Sequence, residues 1–212
     1  MNYLRNDYQS KNMALYDDNV FKFYSKSADD KPGKGKAGGG ETLSGDVDFT
    51  ALSEIANWRK VLSNFHTDET GLFSGADYTW ASVEHWYHAH KFKKNNPEYF
   101  KLFTIESRSE ISTDPRKALG AGGRTGYIKL NGKRVKFRKD SIKIDPDFFE
   151  NYPHKIMEEG QRLKYNQDRL SKQVLLATKN AKLVHLETRR GKATNLVPFI
   201  NTMKIRNEIN EK

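Results

Sequence analysis

Trp80-Ala-Ser-Val-Glu-His-Trp-Tyr-His-Ala-His-Lys-Phe92 places one acid, three histidines, two tryptophans, a tyrosine and a lysine within thirteen positions. The period predicts a helix from about Ser82 to Phe92, with Thr79 or Ser82 as its cap. At 3.6 residues per turn, Val83, Trp86, Tyr87 and His90 share a buried stripe, while Glu84, His88 and Lys91 fall together on the flank beside it. An acid, an imidazole and an amine then line the edge of an aromatic surface. Glu84 is placed to stabilise an oxocarbenium-like sugar or to activate water, and Lys91 to neutralise a phosphate or to attack a sugar carbon as an amine. A solvated Glu84–His88 or Glu84–Lys91 pair on an ordinary amphipathic helix accounts for the same spacing. His85, His88 and His90 do not share a face and form no HExxH pattern, so neither a metal nor another cofactor is expected.

Working outward, Val20–Ser25 alternates as a short strand and runs into Lys31-Pro-Gly-Lys-Gly-Lys-Ala-Gly-Gly-Gly40, a flexible basic loop. That loop lacks the Lys-Ser/Thr and helix of a P-loop, leaving a ligand-covering lid or a plain linker. Leu52, Ile55, Trp58 and Leu62 recur at helical spacing across Phe49–Leu62. Helices are expected after Asn96-Pro97 and Asp114-Pro115, the second ending at Gly120-Ala-Gly-Gly123. Asn131-Gly132 between Tyr127–Leu130 and Lys133–Phe137 predicts a hairpin with a type I′ turn. Lys129, Lys133, Arg134, Lys136, Arg138 and Lys139 make that hairpin basic, able to track a nucleic-acid backbone or to serve as a solvated edge. Helices over Pro153–Tyr165 and Leu170–Thr178, a strand over Leu183–Leu186 and a last helix near Pro198 complete an α+β, mostly helical domain over residues 21–212, preceded by an N-terminal extension over residues 1–20.

The chain has 212 residues, no cysteine and a formal charge of +10. Its length suits one domain, and the charge points to anionic partners without choosing among them. No stretch approaches the ~20 apolar residues of a membrane span, and the start is polar rather than shaped like a signal peptide. A cytoplasmic protein without a membrane partner is expected.

The order of segments resembles the NADAR/YbiA-like family. Phe23-Tyr24-Ser25 with its Pro-Gly-Lys-Gly loop, Trp58-Arg-Lys-Val-Leu-Ser-Asn-Phe65, the Trp80–Phe92 stretch, Asp114-Pro-Arg-Lys-Ala-Leu-Gly120 and Leu175-Leu-Ala-Thr178 with Leu183-Val184 look like its successive motifs. The resemblance spans roughly Phe21 to Arg206. It implies a mostly helical α+β fold and hydrolysis of N-glycosidic bonds in phosphorylated ribosyl compounds: riboflavin-pathway phosphoribosylaminopyrimidines, or ADP-ribosylated guanine and NAD-derived compounds. Carried over by motif, Glu84 becomes the catalytic acid residue, with Lys91 beside the sugar. Tyr24, Ser25, Asn64, Phe65, Trp80, Trp86, Tyr87 and His88 become ligand contacts.

One segment departs from the pattern. Where better-known members carry an acid and a Trp-Gly pair, this chain has His185-Leu-Glu-Thr-Arg-Arg-Gly-Lys192. Either Glu187 replaces that acid as a second catalytic group, or the group is absent, or a different constellation operates. A non-catalytic module binding ADP-ribose or NAD, and a basic nucleic-acid-binding protein, are the alternatives to the hydrolase.

Overall fold

A computed structural model describes residues 15–68, 70–189 and 192–211. Among them, β1 (Val20–Phe23) is followed by α1 (Thr50–Ser53), α2 (Trp58–Val61) and the hairpin β2 (Phe73–Gly75) and β3 (Tyr78–Trp80). Then come α3 (Val83–His90), α4 (Pro97–Lys101), α5 (Pro115–Gly122) and the hairpin β4 (Tyr127–Leu130) and β5 (Lys133–Lys136). The chain closes with α6 (Phe148–Asn151), α7 (Pro153–Gln167), α8 (Arg169–Ala177), β6 (Lys182–Arg189), β7 (Lys192–Pro198) and α9 (Ile200–Asn210). This is the expected α+β architecture. β1 pairs parallel to β6, and β6 pairs antiparallel to β7, giving a sheet of order β1-β6-β7.

The apolar side chains separate into two clusters. Phe21, Phe23, Trp58, Leu62, Tyr165, Leu175, Leu183 and Met203 hold the sheet against α2, α8 and α9. Phe73, Trp80, Val83, Trp86, Phe92, Phe100 and Ala118 surround α3. α7 bridges them, placing Tyr165 in the first and resting Ile156, Met157 and Leu163 on the second. The segment Ser63–Phe65 lies where the clusters meet, because it links α2 of the first to the hairpin that opens the second.

Several boundaries differ from the sequence expectation. The helix expected across Phe49–Leu62 breaks into α1 and α2, with Asn57 left-handed (φ 56°) between them. The Asp29 carboxylate accepts the Asn57 N–H, and α2 starts afresh with Trp58 in the core. α5 ends at Gly122, within the expected Gly120–Gly123 run, and its glycines permit close packing. A Cβ on Gly122 would stand 2.3 Å from His88 Nδ1, and one on Gly120 2.8 Å from Ile128. β6 runs on to Arg189, and β7 was not foreseen. Its Lys-Ala-Thr-Asn-Leu-Val-Pro sequence has little apolar alternation and is held by the ladder to β6. The β2–β3 hairpin was also missed, because its turn uses Ala76 (φ 50°) and Asp77 (φ 65°) rather than an Asn-Gly signal. Asn131 and Gly132 (φ 47° and 80°) do form the expected tight turn, with Leu130 opposite Lys133.

The glycine loop is a further correction: it is anchored rather than free. Glu41, its side chain fully enclosed, accepts hydrogen bonds from Gly33 N (3.0 Å), Gly35 N (3.3 Å) and Lys22 N (3.2 Å), and pairs with the Arg59 guanidinium (Nε to Oε1 2.8 Å). Arg59 also donates to the carbonyls of Asp30 and Lys31. The amides of Gly33 and Gly35 thus hold the chain's own carboxylate. Most of the expected N-terminal extension lies outside the described residues. Leu15 and Tyr16 already pack on the first cluster, and Asp17 N donates to Asn180 O (2.7 Å).

Candidate functional site

α3 begins where Ser82, in extended conformation, caps it by accepting from His85 N. Contrary to an amphipathic helix with one wet flank, α3 is buried on all sides, with only Tyr87 half-exposed. It is enclosed by α5 and α7. The supposed surface flank of Glu84, His88 and Lys91 is therefore interior, and all three are at most 7% exposed.

These three form one chain of hydrogen bonds. Lys91 Nζ lies 2.9 Å from His88 Nδ1, and His88 Nε2 lies 2.9 Å from Glu84 Oε1. An ammonium has no lone pair, so His88 Nδ1 accepts from it, and Nε2–H donates to the carboxylate. The geometry thereby sets the imidazole tautomer. Lys91 also donates to Gly122 O (3.2 Å) and sits over the rings of Tyr87 (4.6 Å), Phe149 (5.8 Å) and Phe148 (6.0 Å). Burial pushes its ammonium down to about 8, Glu84 opposing and Arg138 adding to the shift. Burial, with the Glu84 charge, raises the Tyr87 phenol.

Glu84 is held from the other side by α7. Its N–H donates to Asn64 O (3.0 Å). Asn64 Oδ1 accepts from Gln161 Nε2 (3.2 Å), and its Nδ2 meets Met157 Sδ (3.1 Å). Lys164 Nζ donates to Val61 O (2.6 Å) and Ser63 O (2.9 Å), and Tyr165 OH to Leu62 O (3.1 Å). One face of α7 thus fastens the whole Val61–Asn64 stretch. Burial brings the Lys164 ammonium down to about 7, against the pull of Asp168. Gln161 Oε1, fully buried, has no hydrogen-bond partner among the described residues and leaves an acceptor on the residue that holds Asn64. Met157, Gln161 and Lys164 were missed from the sequence, although their spacing marks one face of α7. Nothing local says that the face carries polar anchors.

Other candidates gather to different degrees. Phe23 is in register with His185 across β1 and β6, so Tyr24 and Ser25 follow directly on that pair. Burial lowers the His185 imidazole, while Glu187 and Glu84 both raise it, so His185 stands within electrostatic reach of both carboxylates. His185 and Glu187 occupy alternate β6 positions and share a face. Glu187 is exposed and accepts from Asn195 Nδ2 (3.0 Å). His185, stacked on Phe199 (5.5 Å, 24°), had no role in the sequence reading, and only the strand alternation of β6 hinted at it. Phe65 is half-buried beside Asn64. Trp80 and Trp86 lie on the far side of α3 from Glu84, edge to face at 5.2 Å, with their indole N–H groups donated to Gly75 O and Ile156 O. The structure does not bring them to the carboxylate. His85 and His90 are engaged with Ser82 Oγ and Trp86 O.

The closeness of α5 to α3 gives a direct expectation. Gly122→Ala should displace the His88 ring, destabilising the protein by about 1–3 kcal/mol and breaking the relay. Thermal melting together with the His88 ring resonances in NMR checks this; unchanged ring shifts would contradict it.

The described residues include no helix long and apolar enough to cross a membrane. No protein-family model matches the chain, and no curated protein is significantly similar to it. Among solved structures, the NMR structure of the Escherichia coli protein YbiA superposes with a TM-score of 0.54 at 19% identity, covering 94% of each chain. The likeness is one of fold: this chain has a YbiA-like fold across nearly its whole length.

Proposed function

We propose that the chain is an N-glycosidase that hydrolyses the bond between ribose and base in a phosphorylated ribosyl substrate. The observation that carries this is the buried Glu84–His88–Lys91 relay, set beside Asn64 in a YbiA-like fold. Glu84 Oε1 is occupied by His88, and Oε2 has no hydrogen-bond partner among the described residues. In the proposed reaction the water oxygen bonds to C1′ as the C1′–N bond breaks. The electron pair of that bond leaves on the base nitrogen, which takes a proton from solvent, while Glu84 Oε2 takes the proton that water releases. Before that transfer the carboxylate charge faces the oxocarbenium-like sugar. Lys91, through His88, holds Glu84 oriented, and Glu187 with His185 supplies a second carboxylate edge.

Incubation with a phosphoribosylaminopyrimidine, ADP-ribosylated guanosine and NAD, followed by mass spectrometry, should show free base from one of them. Silence across the panel, with ligand binding intact, would favour the non-catalytic module instead.

A second reading has its own observation. Arg138 donates to Ala121 O and Arg124 O (both 2.9 Å), tying the basic hairpin to the end of α5 that abuts His88. Exposed Lys129 and Lys133 are thus joined to the element that backs the relay, which suits a base carried on a nucleic-acid strand. Binding to duplex DNA should then weaken with salt by a slope of about −0.9 per phosphate contact.

The buried amines set opposite pH trends for stability and activity. Below about pH 8 both folded and unfolded chains carry the Lys91 proton, and the fold bears the cost of a buried ammonium. From there to the ordinary lysine value of 10.5 the unfolded chain binds more protons, so stability rises with pH. Lys164 starts the same trend at about 7. Base release should instead fall above about pH 8, as Lys91 loses its charge. Melting temperature and kcat/KM measured over pH 6–10 (roughly spanning both transitions) check the pair, and parallel trends would contradict it.

A further inference from the structure

A cavity of about 430 Å³ lies on the flank of α3 opposite Glu84, within the size range of small-ligand sites. Trp86, His90, Phe148, Tyr152 and Ile156 line it. The rings of Trp86 and His90 are 4.1 Å apart and 42° inclined, so they lie against each other and form one aromatic wall. Tyr152 stands at the entrance, 51% exposed.

The polar groups of this cavity are nearly all accounted for. Trp86 Nε1 donates to Ile156 O, and the Trp86 carbonyl lies 2.8 Å from His90 Nδ1. A carbonyl can only accept, so Nδ1 carries the proton and Nε2 keeps a lone pair that no described residue meets. Burial takes the His90 imidazole down to about 4, leaving it neutral and accepting at physiological pH. At the rim, Lys94 pairs with Asp147 (2.6 Å), and Asp145 accepts from the amides of Lys94 (2.8 Å) and Asn95 (3.0 Å). Lys93 and Glu159, one charge of each sign, remain without an ion-pair partner among the described residues. With two lysines against Asp145, Asp147 and Glu159, the rim carries a net charge of −1, which disfavours an anionic ligand.

We propose that this cavity is a second ligand site that takes a neutral, planar heteroaromatic ring bearing an amino group. The ring packs against the Trp86–His90 wall with Tyr152 across it, and its amino N–H donates to His90 Nε2. Aromatic walls suit a planar ring, the open His90 Nε2 suits its amino group, and the net negative rim disfavours an anionic one. The site does not depend on what Glu84 does.

The test titrates the full chain with 9-methyladenine and 9-methylpurine, which differ in one amino group, monitored by tryptophan fluorescence and NMR. Saturable binding is expected at a Kd of about 1 mM or tighter. The amino compound should bind about 2–12-fold better, the worth of one neutral hydrogen bond. His90→Phe should equalise the two ligands, and Tyr152→Ala should weaken both without moving the melting temperature. Glu84→Gln should leave both affinities unchanged. Absence of saturable binding, equal affinity for the two ligands, or loss of binding in Glu84→Gln would each overturn the proposal. Should His90→Phe fail to fold, Tyr152→Ala decides it, since undiminished binding there has the same consequence.

Discussion

Glu84→Gln is expected to lower the release of base by about a hundredfold to ten-thousandfold, the usual worth of a positioned general base, with little change in melting temperature. The substitution preserves shape, and an amide oxygen still accepts from His88 Nε2, so the bond at 2.9 Å survives. What disappears is the negative charge and the ability to take a proton. The charge leaves a second trace. Glu84 opposes the burial that lowers Lys91, so without it the Lys91 ammonium should titrate below its present value of about 8. Carbon-13 labelling of lysine side chains reads that directly. A variant with unimpaired turnover removes Glu84 from the mechanism, and a Lys91 titration that does not move removes the relay. The two outcomes are separable, because the titration requires no substrate.

Glu41→Ala should destabilise the protein by about 3–5 kcal/mol, as expected when one partner of a buried ion pair is removed. For a chain of this size that is a fall of about 6–20 °C in melting temperature. The substitution strands the Arg59 guanidinium, which is 2% exposed, and frees the amides of Gly33, Gly35 and Lys22. Replacing both partners, Glu41→Leu with Arg59→Met, should cost less than Glu41→Ala alone, because no unpaired charge is then left buried. A loss under about 1 kcal/mol in chemical denaturation would show the pair to be peripheral. The consequence for the site is indirect. Arg59 belongs to α2, and α2 leads straight into Val61–Asn64, the stretch that α7 fastens below Glu84. Loosening the glycine loop should therefore reach activity through Asn64.

The elements with strong local signals were legible in the sequence. α3 has its Ser82 cap, α4 and α5 have proline at their first position, and the β4–β5 hairpin has Asn131-Gly132. Each rests on backbone chemistry within a few residues, which a sequence states directly. The grouping of Glu84, His88 and Lys91 was legible for the same reason, since helical period alone sets neighbours three and four apart.

Only the tertiary structure decided what that grouping became. Sequence could not separate a solvated ion pair from an enclosed relay, because burial of α3 depends on α5 and α7, about thirty to seventy residues away along the chain. Gly122 ends α5 as the sequence suggests and is also the gap that admits His88. The loop that the sequence left as a lid or a linker is tied down by Glu41, a partner chosen by packing rather than by the loop. β7 became a strand because β6 offered it a ladder. The composition, the caps and the helical spacing were thus determined by the sequence itself. Which polar groups lost their water, and so which of them can act, was settled by contacts distant in sequence, since desolvation belongs to the packed fold and to no single segment of it.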